Sequence, residues 1–369
     1  MKTYNNLWPQ LTSFKNLRSA YEKAKQHKGG NPTVHAFAEH AIFNLSILRH
    51  ELITKTYRPE PLTRFVLRDP KTRVIYKSAF RDRIVHHALI NVLQPIYEPR
   101  FIHDSHASRK GRGTTSALDR YQEFLRRVTH NGTLHANARN NNHVKGYALK
   151  CDIKHYFETV DHEVLLSILR KRIKDEDVLE LAKTILDHYP TDTPGKGMPL
   201  GNWTSQFFAN IYLDELDQFV KHTLHAKHYM RYVDDFILLH NDKSVLEEYH
   251  ISIQAFVEEL ALELHPTKSQ IIPLREGVSF LGFKIFYHYR VPRARNKRKI
   301  TTKLKKLLRR YERETIDYPI IIDTLQGWNA YAMQGNTYHL RQRLTAWTTQ
   351  ELMRITARHK AQRESRSSA

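Results

Sequence analysis

Asp152, Asp234 and Asp235 are the residues of this chain whose type and spacing suggest chemistry. Asp234 and Asp235 are adjacent and lie between two apolar arms, Tyr232-Val233 and Phe236-Ile237-Leu238-Leu239, whose β-branched and aromatic bias suits two short strands. The pair is therefore expected at the tip of a hairpin. Like charges held side by side in apolar surroundings raise the energy of the ionised pair unless a cation offsets it. Oxygen ligands select a hard divalent ion, Mg²⁺ or Mn²⁺. An isolated Asp-Asp is more often a solvated turn. Here the flanks read as strands, the turn has no Gly, and a further acid lies upstream. That acid, Asp152, ends the buried-type run Tyr147-Ala148-Leu149-Lys150-Cys151, and the Ile153 carbonyl offers another oxygen. Asp161 reads instead as an N-cap for the helix that carries Val164, Leu165, Ile168 and Leu169. The expected metal set is thus Asp152, Ile153, Asp234 and Asp235, with the three acids catalytic.

Several elements must position these acids. Upstream, Phe65-Val66-Leu67 and Val74-Ile75-Tyr76 flank a turn containing Lys71 and Arg73, a hairpin whose cationic tip suits a triphosphate. A plain solvated turn is an equal reading of that stretch alone. Between the acids, Leu200-Gly201-Asn202-Trp203-Thr204-Ser205-Gln206 opens a long helix whose apolar stripe runs through Phe208, Ile211, Tyr212, Leu216, Phe219 and Val220. Gly201 permits close backbone approach, and Asn202 and Gln206 supply directional hydrogen bonds to a nucleotide. After the hairpin a packing helix is expected over residues 244–264, and then Lys268 adds a cation that could assist a leaving pyrophosphate or simply be an exposed loop lysine. Residues 131–145 have no periodicity and are expected to form a loop.

Lys plus Arg number 59 against 38 Asp plus Glu, a formal +21 that calls for a polyanionic partner, with nucleic acid the best fit and an anionic membrane surface the rival. Two regions concentrate this charge. Arg109, Lys110 and Arg112 lie in a Gly-punctuated run that reads as a backbone contact or as a solvated loop. From 284 to 310 every charged residue is Lys or Arg, including Lys297, Arg298, Lys299, Lys303 and Lys306, while Leu304, Leu307, Leu308 and Tyr311 form an apolar stripe. One helix face packs and the other should track phosphates, with affinity falling steeply as salt rises. No apolar run is long enough to span a membrane, and the single cysteine, Cys151, excludes an internal disulfide, so a reducing cytoplasm is the expected compartment. Residues 354–369 are polar and basic and are expected to fray.

Asp152 on one strand and Asp234-Asp235 on a hairpin, with a Gly-Asn loop and helix between them, meet the needs of two-metal nucleotidyl transfer. Here the chain resembles a reverse transcriptase. Tyr232-Val233-Asp234-Asp235 is similar to that family's catalytic box, and Asp152-Ile153 with Tyr156-Phe157 is similar to its first acidic motif. Within the family, Leu200-Gly201-Asn202-Trp203-Thr204-Ser205-Gln206, Arg81-Asp82-Arg83-Ile84-Val85-His86-His87-Ala88-Leu89 and Phe101-Ile102-His103-Asp104-Ser105 look like the diversity-generating retroelement group. The resemblance implies an α+β right-hand polymerase with fingers, a ferredoxin-like palm and a helical thumb. The corresponding ranges are a helical lead-in at 1–60, fingers at 61–146, palm at 147–286 and basic thumb and tail at 287–369. It implies RNA-directed DNA synthesis from a template-repeat RNA with a DNA or RNA primer, dNTPs and two Mg²⁺ ions, adenine mutagenesis of the product, a small basic accessory protein, and Phe157 as the steric gate against a 2′-hydroxyl. A phage-defence or other retroelement enzyme and a catalytically inactive RNA-binding module are the alternatives.

Overall fold

The structure is a computed structural model of the chain and describes residues 2–68, 72–191 and 193–367. The chain opens with helices α1 (Trp8–Leu11), α2 (Phe14–Lys25), α3 (Pro32–Glu39) and α4 (Ala41–Ile53), then strands β1 (Thr63–Leu67) and β2 (Arg73–Lys77). Helices α5 (Phe80–Tyr97) and α6 (Thr114–Val128) lead to β3 (Tyr147–Asp152), followed by α7 (Tyr156–Thr159), α8 (His162–Arg170), α9 (Glu176–Asp187) and α10 (Trp203–Gln218). Next come β4 (Tyr229–Tyr232), β5 (Asp235–His240), α11 (Lys243–Glu259), β6 (Gln270–Pro273), β7 (Val278–Phe280), β8 (Phe283–Ile285) and β9 (Arg290–Pro292). Three helices end the chain: α12 (Ala294–Glu312), α13 (Pro319–Ala332) and α14 (Tyr338–Ser367).

Two compact units result. The first comprises the described residues up to Gly113, Leu149–Leu238 and Ser244–Ile271. In it α2 lies along α5, burying Leu17, Ala20, Tyr21 and Ala24 against a helix whose own stripe of Ile84, Val85, Ala88, Leu89, Val92 and Leu93 is fully covered. Most of the four-stranded sheet, in the order β4-β5-β3-β6, belongs here, so the sheet brings the end of β3 beside the start of β5. Asp161 caps α8, accepting from the amides of Glu163 and Val164 at 3.0 and 3.1 Å. Helix α11 stops at Glu259, short of the expected 264. Ala261 turns the chain at φ 53°, which frees Leu264 to bridge Ile153 antiparallel beside β3.

The second unit comprises Thr114–Ala148, Leu239–Lys243 and the described residues from Ile272 on. Helix α6 buries the expected face, Ala117, Leu118, Tyr121, Phe124, Leu125 and Val128, with Tyr121 against Phe280 of β7 at 6.2 Å between ring centroids. Strands β7, β8 and β9 form an antiparallel meander. Ile300, Leu304, Leu307 and Leu308 of α12 pack with Ile321 and Leu325 of α13 and Leu344 and Ile355 of α14. The stretch expected to fray is helical to Ser367, held by buried Ile355 and by pairs such as Arg358–Glu312 at 3.1 Å. Residues 131–145 form an irregular loop closed on itself by His135–His143 and Lys145–Thr133 backbone bonds of 2.9 and 2.8 Å.

Candidate active site

The hairpin is as tight as its sequence suggests. Tyr232 pairs with Asp235, leaving Val233 and Asp234 as a two-residue turn. Apolar side chains on both sides of the strands, Tyr229, Met230 and Phe236 through Leu239, are buried and fix the hairpin in the core. The Ile153 amide donates to the Asp234 carbonyl at 3.4 Å, joining the end of β3 to the turn. All three acids are half-buried and belong to the first unit.

Burial, and then the neighbouring Asp235 charge, pushes the Asp234 carboxyl up to about 6, with Asp152 adding to the rise and Arg73 opposing it. Burial likewise raises Asp235, opposed by Lys150 and by Lys268. Two ammonium groups face the cluster: Lys150 Nζ stands 3.4 Å from Asp235 Oδ1 and Lys268 Nζ stands 3.2 Å from Asp152 Oδ1. The Asp235 Oδ1 atom is nevertheless buried without a hydrogen bond. Among the described residues, no three His, Cys, Asp or Glu side chains converge closely enough to enclose an ion as they stand. An all-oxygen set with one buried, unbonded carboxylate oxygen fits a hard divalent cation. Ile153 is buried, with its main chain against Asp234.

The other expected nucleotide contacts divide. Arg73 is exposed at the start of β2 and near enough to act on the charge of Asp234. Lys71 lies outside the described residues. Phe157, half-buried, packs edge-on against Tyr156 at 5.4 Å, and its carbonyl accepts from the Met198 amide at 2.6 Å. Lys268 is exposed and points at Asp152 rather than into a free loop. Gln206 is exposed on the first turn of α10, with Oε1 accepting from the Ser108 hydroxyl at 3.0 Å. Gly201 and Asn202 lie against the end of β2. A Cβ on Gly201 would stand 2.9 Å from Ile75 Cγ2, and the buried Asn202 accepts from the Ser78 amide at 3.5 Å, so both bind this loop to β2.

The expected nucleic-acid contacts divide too. Arg109 gives its guanidinium to Glu98 at 2.7 Å and to the carbonyls of Ile102 and Ser105 at 2.7 and 3.1 Å, holding its own loop together. Lys110 is exposed and Arg112 half-exposed. On α12, Lys297, Arg298, Lys303 and Lys306 are exposed and Lys299 is half-exposed, opposite the packed leucines.

Sequence reasoning missed three residues that shape the site: Lys150, Arg231 and Asp217. Lys150 is two positions before Asp152, hence on the same strand face. Arg231 interrupts an apolar strand, and Asp217 stands beside Leu216 on the stripe of α10, and such interruptions are the available signal.

Residues 68–285, more than half of the chain, match the profile described as "Reverse transcriptase (RNA-dependent DNA polymerase)". The chain belongs to the reverse transcriptase family. By family it is an RNA-directed DNA polymerase, its mixed α/β architecture is consistent with the right-hand polymerase fold, and reverse transcriptase domains generally use divalent metal ions. Among curated proteins it is similar to Protein YkfC of Escherichia coli, 28% identical over 285 residues that cover 65% of this chain and 71% of that one. It is also similar to the group II intron-encoded protein LtrA of Lactococcus lactis subsp. cremoris, 27% identical over 215 residues, 54% of this chain but only 33% of LtrA. Among solved structures, apo telomerase from Candida tropicalis aligns with a TM-score of 0.46 and 16% identity over 67% of this reverse transcriptase and 52% of that chain. No helix among the described residues is long and apolar enough to cross a membrane.

Proposed function

We propose that this reverse transcriptase extends a DNA or RNA primer at Asp152, Asp234 and Asp235, which with the Ile153 carbonyl would hold two divalent ions, Mg²⁺ or alternatively Mn²⁺. When bound, such ions activate the primer 3′-hydroxyl and neutralise the charge that builds as pyrophosphate leaves. The observation that carries the reading is the buried Asp235 Oδ1, which makes no hydrogen bond and is faced, among the described residues, only by the Lys150 ammonium at 3.4 Å, beside an Asp234 carboxyl that burial pushes up to about 6: anionic oxygens gathered at energetic cost. Arg73, and Lys71 with it, hold the triphosphate of the incoming dNTP, and Gln206 contacts its base or sugar. Phe157 blocks a 2′-hydroxyl. Lys268, already on Asp152, assists the departing pyrophosphate. The cationic face of α12 follows the template–primer backbone, with Lys110 and Arg112 as further contacts. Fingers at 61–146, palm at 147–286 and thumb from 287 are the functional divisions that go with this reading.

Primer extension on an RNA template with dNTPs and Mg²⁺ tests it. Wild type should extend and Asp235→Ala should lose about 1,000-fold or more in kcat. Equal extension by the two would overturn the site.

The biological role we infer is that of a diversity-generating retroelement enzyme working in the reducing cytoplasm, copying a template-repeat RNA with adenine errors alongside a small basic accessory protein. Support comes from the Gly201-Asn202…Ser205-Gln206 pattern. Sequenced products should carry substitutions concentrated opposite template adenines, and neighbouring genes should hold a near-identical repeat pair differing at adenines. A second reading, a different retroelement or phage-defence reverse transcriptase, draws on the likeness to an intron-encoded protein and predicts neither feature.

A further inference from the structure

The turn carrying the adjacent acids is held in a backbone conformation that its own residue disfavours. Val233 has φ 55°, the left-handed region, where a β-branched side chain is an outlier. Such a conformation persists only when its surroundings over-determine it. Besides the Ile153 amide on the Asp234 carbonyl, the restraint comes from behind the hairpin. Arg231 Nη1 donates to the Val233 carbonyl at 3.1 Å and to Asn210 Oδ1 at 3.2 Å. Its Nε and Nη2 donate to Asp217 at 2.8 and 2.6 Å, and the Tyr229 hydroxyl donates to the same carboxylate at 2.6 Å. Both Arg231 and Asp217 are wholly buried. The Arg231 main chain is pinned as well, its amide donating to the Asp104 carbonyl at 2.9 Å and its carbonyl accepting from the His106 amide at 3.0 Å.

A buried ion pair adds little net stability over apolar residues of the same volume, so stability alone does not explain an arginine here. The planar fork does something a leucine or a lysine cannot: it reaches a carboxylate, an amide and the turn carbonyl at once. We propose that Arg231 is a positioning residue for catalysis, its guanidinium anchored by Asp217 and clamping the Val233 carbonyl so that the strained turn aims Asp234 and Asp235. The proposal rests on the polymerase reading of those acids, and it gives the buried pair behind them a task in the reaction.

Arg231→Lys in the full chain is the first test, because it keeps the positive charge beside Asp217 and removes the fork. Amide hydrogen exchange over residues 229–240 should speed about tenfold while template–primer affinity holds. The kcat for extension should fall about 100-fold with dNTP KM changed much less, the signature of displaced carboxylates rather than lost substrate contacts. Adding Val233→Gly should recover part of that loss, since glycine takes a positive φ without the Cβ penalty. Where Arg231→Lys melts too low to assay, Arg231→Met combined with Asp217→Leu fills the same volume without charge and carries the same expectation. A folded variant with wild-type exchange over the hairpin, and kcat within about twofold of wild type, would overturn the proposal. Exchange needs no turnover. A wild type that fails to extend any primer would therefore count against the polymerase reading, while the exchange comparison would still decide whether Arg231 holds the turn.

Discussion

Two hairpins of similar build, β1–β2 and β4–β5, meet opposite fates. Every residue of β1 is exposed, including Phe65, Val66 and Leu67, each above 40%. In β4–β5 the core positions are buried on both faces, down to a guanidinium with no exposed surface. An isolated two-stranded hairpin is marginal in water, so β1–β2 depends on its attachments. Among the described residues these include the Tyr76 amide on the Leu200 carbonyl at 3.4 Å, the Tyr76 ring edge-on to Tyr189 at 5.2 Å, Ser78 on Asn202, and the close seating of Ile75 over Gly201. The hairpin that carries the acids proposed to be catalytic is buried on both faces and tied to α10 through Arg231 and Asp217, whereas the hairpin proposed to meet the triphosphate leaves apolar and cationic side chains exposed. Precision is built where chemistry would occur, and unspent contact surface where a substrate would be gripped.

The comparison is broken most severely by Asp217→Ala. Removing that carboxylate leaves Arg231 buried and unpaired, which should cost about 3–5 kcal/mol in chemical denaturation. An effect below about 1 kcal/mol would mean that water or another group reaches Arg231 and that the rear of β4–β5 is less closed than it looks. Gly201→Ala strikes the attachment of the other hairpin. Gly201 has φ 108°, and an added Cβ would meet Ile75 at 2.9 Å, so a loss of about 1–3 kcal/mol is expected. With β2 displaced, dNTP KM should rise while template–primer binding stays. A raised KM with unchanged stability would instead restore the reading in which Gly201 approaches the nucleotide itself.

The acids were legible from sequence because charge inside an apolar, strand-forming run is a strong local signal, and Asp152, Asp234 and Asp235 each had one. Helix faces were legible for the same reason: the stripes of α5, α6 and α12 are periodic over several turns. What surrounds the acids was not, because it is set by pairings between distant positions. Arg231 finds Asp217 fourteen positions away across a helix–strand packing, and Lys150 finds Asp235 across neighbouring strands. Arg109 illustrates the converse. In sequence it joins a basic, Gly-rich run suited to phosphates, yet Glu98 and two carbonyls, all of them local, claim its guanidinium. The end of α11 was misplaced for a conformational reason, since nothing in Leu260-Ala261-Leu262 marks a left-handed alanine.

Asp214→Asn sharpens the view of the network behind β4–β5 at moderate cost. Burial, and then Asp217, pushes the Asp214 carboxyl up to about 6, against Gln218 and Arg100, which favour its charge. A carboxyl raised in the folded state favours folding while protonated and loses that contribution as pH climbs from its unfolded value near 3.8 through 6. Wild type and Asp214→Asn should therefore be equally stable below about pH 4. The variant should gain about 1–2 kcal/mol above about pH 7, read from urea midpoints across the pH series. A gap that instead closed with rising pH would mean that Arg100 and Arg231 outweigh burial at this site.

The smallest effect on folding should come from Phe65→Ser, because that ring is already 44% exposed. Surface substitutions of this kind stay within about 0.5 kcal/mol. If β1–β2 offers its apolar side chains to nucleic acid, the same change should weaken template–primer binding by about 1 kcal/mol, roughly fivefold in Kd, through lost stacking on a base. The loss should persist at high salt, because stacking carries no counterion release, whereas Lys303→Ala on α12 should lower the slope of log K against log salt by about one. A Phe65→Ser variant that lost stability but not affinity would reverse the reading of the exposed hairpin: its apolar surface would then belong to the fold.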